Sequence, residues 1–244
     1  MDMAIRKPMT APLVSVIIPT MNEEEAIGEV MDQINSALKG MEYEVLVVDT
    51  DSKDRTREIA ASKGARVIPE PRRGYGRAYK TGFSQAKGKY IATLDADCTY
   101  PAGDIPKFVH ILETEEVDFI SGDRLTKLEK GVMNGKHRMG NWGLKVAMNV
   151  IFSMKSADSQ TGMWVFRRSV LAKFNLVSDR MALSEEIKIE AYRKCRYREI
   201  PIRYTPRVGE VKLNTWKDGK DNLMFLFSKK MGKVSKAKGE IFQV

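Results

Sequence analysis

The strongest constraint on this chain is the alternation, over its first 120 residues, of short β-branched runs with segments of helical period. Residues 14–18 (VSVII) form a continuous apolar run ended by Pro19, the pattern of a strand buried on both faces. Asn22 is placed to cap a following helix, with Glu25 as its capping-box partner, and Ile27, Val30, Met31, Ile34 and Leu38 recur at helical spacing up to Gly40. Residues 44–48 (EVLVV) read as a second strand, followed by a polar turn and a helix capped by Asp54. Strands at 66–68, 90–94 and 117–121, with helices at 78–86 and 104–113, complete the alternation. Such a pattern predicts an α/β fold, with a mainly parallel sheet flanked by helices.

Sheets of that kind bind ligands beyond the carboxyl ends of their strands. The polar clusters of this half all fall there: residues 20–23, 49–54 and 95–99. Asp95-Ala96-Asp97 directly follows the strand YIATL, so two carboxylates can approach one cation. Mg²⁺ or Mn²⁺ prefers oxygen ligands and bridges them to phosphate oxygens. Taken alone, the pair is equally a turn with capping acids. Asn22 and Glu23 after the first strand, and Asp49 and Asp51 after the second, add groups that accept from a base or ribose. Three acidic strand ends converging on one crevice suit a nucleotide with a metal-bound diphosphate, and core packing does not ask for them.

Beyond residue 120 the pattern loosens, with helices expected at 136–154, 184–195 and 217–231 and strands at 164–166 and 199–203. Lys and Arg outnumber Asp and Glu by 41 to 32, a net charge of +9 that suggests an anionic partner. Part of the excess is C-terminal, at Lys229, Lys230, Lys233, Lys236 and Lys238. Cys98 and Cys195 have no spacing for a zinc site or a disulfide framework, which fits a reducing compartment. The opening MDMAIRKPMTAP has no apolar leader core, and no apolar run is long enough to span a bilayer. Trp142, Val146, Val150, Ile151 and Met154 approximate one apolar face, and Leu223, Met224, Leu226 and Phe227 form another beside lysines. Interfacial helices and core-packed helices both read this way. Gly74-Tyr75-Gly76 lacks the third glycine of a dinucleotide fingerprint, and residues 82–89 miss the P-loop spacing. His110 and His137 have no partners at metal spacing and read as ordinary surface residues.

VSVIIPTMNEEEAI, VLVVDTDSKDRT and GYGRAYKTGFSQAKGKYIATLDADCTYP together resemble a family 2 glycosyltransferase of the GT-A fold. In appearance the nearest subgroup is the dolichyl-phosphate or polyprenyl-phosphate hexose synthases. The likeness continues through SGDR, HRMGNW, DSQTGMWVFRR and EIPIRYTPRVGEVKL. It defines a GT-A domain over residues 13–215, an N-terminal extension over 1–12, and an amphipathic helix with a basic tail over 216–244. The resemblance implies nucleoside binding by Pro19, Asn22, Glu23, Asp49 and Asp51, and a Mg²⁺ or Mn²⁺ ion on Asp95 and Asp97, with Asp95 also near the ribose or diphosphate. It places Arg124 and Arg138 at the acceptor lipid phosphate, and Arg207 and Lys212 on a basic loop over the diphosphate. The donor would be a UDP- or GDP-linked sugar, and the acceptor a dolichyl or other polyprenyl phosphate. The protein would then be cytoplasmic, peripheral to the cytoplasmic face of the membrane.

Several positions depart from the family's pattern. Asp49-Thr50-Asp51-Ser52 replaces Asp-Asp-Gly-Ser, Thr99 stands where a Gln metal ligand is common, and Val211 replaces a Ser before Lys212. No Gln-x-x-Arg-Trp motif is present, which argues against processive polymer synthesis. A phosphate monoester, with a second pKa of about 6, is already ionised at neutral pH and attacks without a strong base. A sugar hydroxyl acceptor would need one, and Asp158, Glu185 and Glu186 are the candidates. A basic nucleic-acid-binding module is the third reading, but no interleaved aromatic and basic platform supports it.

Overall fold

The computed structural model describes residues 11–129, 131–209 and 215–233. Its strands are β1 (Val14–Thr20), β2 (Tyr43–Asp49), β3 (Arg66–Pro69), β4 (Tyr90–Thr93), β5 (Phe119–Asp123), β6 (Trp164–Arg167) and β7 (Tyr197–Pro201). Its α-helices are α1 (Ile27–Ala37), α2 (Thr56–Ser62), α3 (Tyr75–Gln85), α4 (Ile105–Thr114), α5 (Gly135–Phe152), α6 (Leu183–Lys194) and α7 (Thr215–Lys230). The strands form one sheet in the order β3-β2-β1-β4-β6-β5-β7. β1 to β4 run parallel, as the alternation predicts. β6 is antiparallel to both β4 and β5, which the sequence pattern does not reveal.

The VSVII run behaves as a strand buried on both faces should. Val16 and Ile18 pack with α1 and α4 through Ile27, Met31, Ile34 and Phe108. Ile17 points the other way, into a second core with Tyr79, Phe83, Leu183 and Ile187 of α3 and α6. Pro19 is tolerated in β1 because β4 ends at Thr93, opposite Ile17, so no ladder bond to β4 is lost beyond that point. The chain reverses direction across the sheet between β1 and β4, which opens a crevice at their carboxyl ends.

Two local expectations are corrected. Asn22 does not cap α1, which begins at Ile27 after Ala26 with no side-chain cap. Asn22 instead adopts φ 55°, and its Oδ1 accepts from the Lys53 amide at 2.7 Å, tying the β1 loop to the β2 loop. α3 starts at Tyr75, three residues before the predicted 78, because Gly74 turns the chain at φ 151°. A Cβ at Gly74 would lie 2.2 Å from the Asp179 carbonyl oxygen.

α7 packs against α5, burying Leu226 with Met148, Phe152 and Ile189. Lys229 fixes it further through Glu186 and Glu190 of α6, each at 2.9 Å. Among the described residues no helix is long and apolar enough to cross a membrane. Lys212, Val211, the tail lysines 236 and 238, and residues 1–10 of the N-terminal extension lie outside the described residues.

Candidate active site

The ends of β1, β2 and β4 bring the sequence-predicted acids to one rim. Each of the three following loops carries a non-glycine residue in the left-handed region: Asn22 at φ 55°, Asp51 at 57° and Cys98 at 62°. That conformation is costly for L-residues and gathers at ligand-binding loops. Asp49 is buried and accepts from Thr20 Oγ1 at 2.9 Å and from the Ser52 amide at 3.0 Å, so it organises its own loop. Asp51 is exposed and pairs with Lys53 at 2.7 Å. The two acids shifted from the family pattern therefore occupy different environments.

Beside this rim lies a cavity of about 420 Å³ lined in its depth by Asp95, Asp97, Tyr75, Tyr100, Arg124 and Arg207. Tyr75 and Tyr79 each donate a hydroxyl to Asp95 Oδ1, at 3.2 and 3.3 Å. Gly162 makes that packing possible, since a Cβ there would sit 2.3 Å from Tyr75 Oη and 3.2 Å from Asp95 Oδ1. Burial and the neighbouring Asp97 charge push the Asp95 carboxyl up to about 7. Asp97 accepts from the Thr99 hydroxyl at 2.6 Å and meets Arg207 Nη1 at 3.0 Å. Arg207 Nη2 reaches Glu23 at 3.0 Å, so one guanidinium bridges the β1 and β4 loops. The Val208 amide, bonded to the Asp97 carbonyl at 3.0 Å, holds that segment against β4's end.

Pro19, Asn22, Glu23, Asp49 and Asp51 lie outside the lining of the cavity, joined to it through the Arg207 bridge. Two carboxylates beside a cavity, one of them made reluctant to ionise by burial and by the other's charge, fit a divalent cation. Among the described residues no group of three or more His, Cys, Asp or Glu forms a self-sufficient metal site. A cation here would take its remaining ligands from phosphate oxygens or water.

Asp158 does not suit the role of base. It is fully buried and locked in a two-pronged pair with Arg124, Nε at 2.7 Å and Nη2 at 2.9 Å. Burial alone would raise its carboxyl, but the Arg124 charge overrides that and holds it at about 2. Glu185 is equally buried, its Oε1 accepting from Gln160 at 2.7 Å, and burial pushes it up to about 8. Glu186 accepts from the Val177 and Ser178 amides and pairs with Lys229. None of these three carboxylates lines the cavity.

Arg138 is exposed and is not part of the lining, whereas the preceding residue is. His137, read from the sequence as an ordinary surface residue, faces the cavity with Asn134 and Asn141. The signal for it was helical phase: these residues share a face at spacings of three and four, but only packing against α7 shows that the face is an inner one. Asp218 and Asn222 of α7 close the same end.

A parallel-sheet crevice with acids at the ends of β1, β2 and β4 is the architecture of a GT-A glycosyltransferase. The protein aligns over 91% of its length with Mycobacterium tuberculosis glucosyl-3-phosphoglycerate synthase, covering 79% of that chain with a TM-score of 0.73 at 18% identity. That enzyme was crystallised with Mn²⁺, UDP and phosphoglyceric acid. The chain belongs to glycosyl transferase family 2, whose model matches residues 15–174, and is thus a glycosyltransferase. It is 36% identical to the Haloferax volcanii dolichyl-phosphate hexose transferase, over 84% of this chain and 88% of the relative. It is also 36% identical to the low-salt glycan biosynthesis hexosyltransferase Agl6 of the same organism, over 94% of this chain but 56% of the relative. The dolichol-phosphate mannosyltransferase of Pyrococcus furiosus is 29% identical over 95% of this chain, and this chain covers 66% of it. The chain therefore spans little more than half of Agl6 and about two thirds of the mannosyltransferase.

Proposed function

We propose that this protein transfers a hexose, or an N-acetylhexosamine, from a UDP- or GDP-linked sugar to a polyprenyl phosphate such as dolichyl phosphate. The observation that carries the reading is the state of the three carboxylates that the sequence offers as a base for a hydroxyl acceptor. Asp158 is locked to Arg124, Glu185 is buried with a raised pKa, Glu186 is tied to Lys229, and none faces the cavity. A phosphate monoester needs no such base, because it arrives ionised. Its oxygen forms the bond to the anomeric carbon as the bond from that carbon to the diphosphate breaks. The electron pair leaves with the nucleoside diphosphate, and the anomeric configuration inverts.

In this reading Pro19, Asn22, Glu23, Asp49 and Asp51 hold the nucleoside, and Asp95 and Asp97 hold Mg²⁺ or Mn²⁺. The ion supplies charge neutralisation for the departing diphosphate. Arg207 assists there: its Nε is buried and without a hydrogen-bond partner among the described residues, a donor available to phosphate oxygens. Lys212 is assigned to the same diphosphate by the family resemblance alone. Arg124, oriented by Asp158, supports the acceptor side.

The acceptor's hydrocarbon implies a membrane surface, and two helices suit one. Met139, Trp142, Val146 and Val150 form an exposed stripe on α5, opposite the face lining the cavity. Leu223, Met224 and Phe227 are exposed on the adjoining α7, and Met231 just past its end. Apolar helix faces turned to solvent beside lysines match helices that lie in the headgroup region. The net charge of +9 favours the anionic cytoplasmic leaflet.

The test is incubation with Mg²⁺ or Mn²⁺, dolichyl phosphate and a panel of labelled UDP- and GDP-sugars, with label counted in the organic phase. Metal-dependent label lost in Asp97→Ala and in reactions without lipid is the expected result, and it names the donor. Donor binding without lipid product, together with transfer to a sugar hydroxyl that Asp218→Asn abolishes, would replace this reading with a hydroxyl acceptor. Asp218 is the base to test because it lines the cavity outside the Asp95 and Asp97 pair.

A further inference from the structure

Gln160 stands between two residues already placed in the site. Asp158 orients Arg124, and Gly162 makes room for Tyr75 beside Asp95. The Gln160 side chain takes part in neither arrangement, yet Gln160 lines the cavity. Its amide is held at both ends. Nε2 donates to Glu185 Oε1 at 2.7 Å, and Oε1 accepts from Asn222 Nδ2 at 3.0 Å. Glu185 belongs to α6 and is fully buried, whereas Asn222 belongs to α7 and is itself in the lining. Because the Glu185 oxygen accepts, the nitrogen end of the amide faces α6 and the oxygen end faces α7.

The transferred sugar is joined to the diphosphate that a cation on Asp95 and Asp97 would hold, so it lies against the walls next to Asp95. Tyr75 is one such wall, its hydroxyl 3.2 Å from Asp95 Oδ1. The segment of Gln160 is another, since a Cβ on Gly162 would also lie 3.2 Å from that oxygen. The lining here is uncharged at Gln160 and Asn222 and largely apolar at Tyr75 and Met181. After the bond from Asn222, Gln160 Oε1 keeps a second lone pair. Asn222 keeps its Oδ1 and its second N–H, which have no partner among the described residues. A phosphate would call for cations. Neutral donors and acceptors side by side, next to an apolar surface, suit hydroxyls and the C–H face of a pyranose, because each hydroxyl both donates and accepts.

We infer that Gln160 and Asn222 read the hydroxyls of the transferred sugar and decide which sugar is accepted, with Glu185 as the positioning residue that fixes the Gln160 amide. The inference rests on the proposed function for its nucleotide-sugar donor. It is tested by calorimetric titration of the full chain, with Mn²⁺, against epimeric donors: UDP-glucose and UDP-galactose, their N-acetylhexosamine counterparts, and GDP-mannose and GDP-glucose. UDP and GDP alone run beside them. Wild type is expected to separate the members of at least one pair by about tenfold or more, the scale of one hydrogen bond gained or left unpaired. Gln160→Leu and Asn222→Leu should reduce that ratio to about threefold or less, because the hydroxyl loses its partner in both epimers. Affinity for UDP or GDP stays at the wild-type value in both variants, which shows that they fold. Glu185→Leu reduces the ratio as well, although Glu185 is not in the lining. Glu185→Gln, which keeps an oxygen for the Gln160 amide, retains it.

Wild type that separates no epimeric pair overturns the inference, as does a ratio that Gln160→Leu or Glu185→Leu leaves unchanged. Losses of UDP or GDP affinity as large as the losses of nucleotide-sugar affinity overturn it too, since a tether that merely holds α7 in place would act on the whole donor. Donor binding needs no acceptor, so transfer to dolichyl phosphate, assayed in parallel, separates the two readings. Transfer whose sugar preference Gln160→Leu does not alter sinks only the role of Gln160. A preference in binding that depends on Gln160, without any lipid product, upholds the sugar contact and sinks the lipid acceptor.

Discussion

Arg207 holds two carboxylates that a donor complex needs, Asp97 and Glu23, each at 3.0 Å. A divalent cation on Asp97 has to compete with that guanidinium. Arg207→Gln is therefore expected to bind Mn²⁺ more tightly than wild type when no nucleotide is present, by roughly fivefold for a partly exposed pair contributing about 1 kcal/mol. With Mn²⁺ saturating, the same variant should bind UDP more weakly, because a phosphate donor is gone. Paramagnetic resonance titration of free Mn²⁺ reads the first effect and calorimetry the second; unchanged Mn²⁺ affinity would show that no competition exists. Glu185 offers a test by pH. Its folded pKa of about 8 exceeds the usual carboxyl value of 4.5, so the folded state keeps a proton that the unfolded chain releases. The stability is fully present below about pH 4.5 and is lost as pH rises through about 8, a change on the order of a few kcal/mol. Urea unfolding across that range should show this decline in wild type and a flatter profile in Glu185→Gln. Equal slopes in the two would mean that Glu185 is ionised in the folded protein. At this scale the sequence spoke unevenly. Asp95 and Asp97 were legible because they follow a strand directly. The state of Glu185 was not, because it follows from burial within the folded protein, against which the Gln160 hydrogen bond works.

The helix α5 is apolar on two sides, and that sets the test at the scale of elements. Its inner side carries Leu144, Met148 and Phe152 toward the cavity and core, and its outer side carries Trp142 and Val150, 60% and 74% exposed. A helix with one apolar face needs one partner, and α5 has apolar surface left over after packing. Replacing Trp142, Val150, Met224 and Phe227 by Ser should reduce co-sedimentation with phosphatidylcholine vesicles containing phosphatidylserine by about tenfold or more, since several partly inserted side chains contribute on the order of 1 kcal/mol each. Binding of UDP should survive, because none of the four lines the cavity. Vesicle binding equal to wild type would reject these helices as the membrane contact. The sequence announced the exposed Trp142, Val146 and Val150 and the exposed Leu223, Met224 and Phe227, but Met154 and Leu226, read onto the same faces, are buried. It could not tell which face packs inward, so His137 read as an ordinary surface residue although it lines the cavity. Strand direction was likewise out of reach. β6 is four residues long, and nothing in WVFR distinguishes an antiparallel insertion between β4 and β5 from another parallel strand.

Across the whole molecule the crevice is assembled from both halves of the chain. Glu23 and Asp97 come from the regular strand-helix alternation, while Arg207 and the α5 and α7 walls come from the irregular second half. The first half was legible because a repeated pattern specifies its own packing, and the second was not because its elements are placed by contacts distant in sequence. A ligand that draws on both halves binds the folded state and not the unfolded chain. UDP with Mn²⁺ at about one hundred times its dissociation constant should therefore stabilise the protein by about 2.7 kcal/mol. For a domain of this size that is a rise in Tm on the order of 5–10 °C. Asp97→Ala should lose most of the rise while keeping a cooperative transition, and Mn²⁺ alone should give only a small part of it. The net charge of +9 permits a competing outcome in which the favoured anion is nucleic acid. That outcome has a different signature: stabilisation by oligonucleotides, independent of Mn²⁺, and falling steeply as salt is raised. A thermal shift with UDP that requires both the metal and Asp97, and that oligonucleotides do not reproduce, ties the charge of the crevice to a nucleoside diphosphate. The rest of the excess charge is then left to the surface that α5 and α7 present.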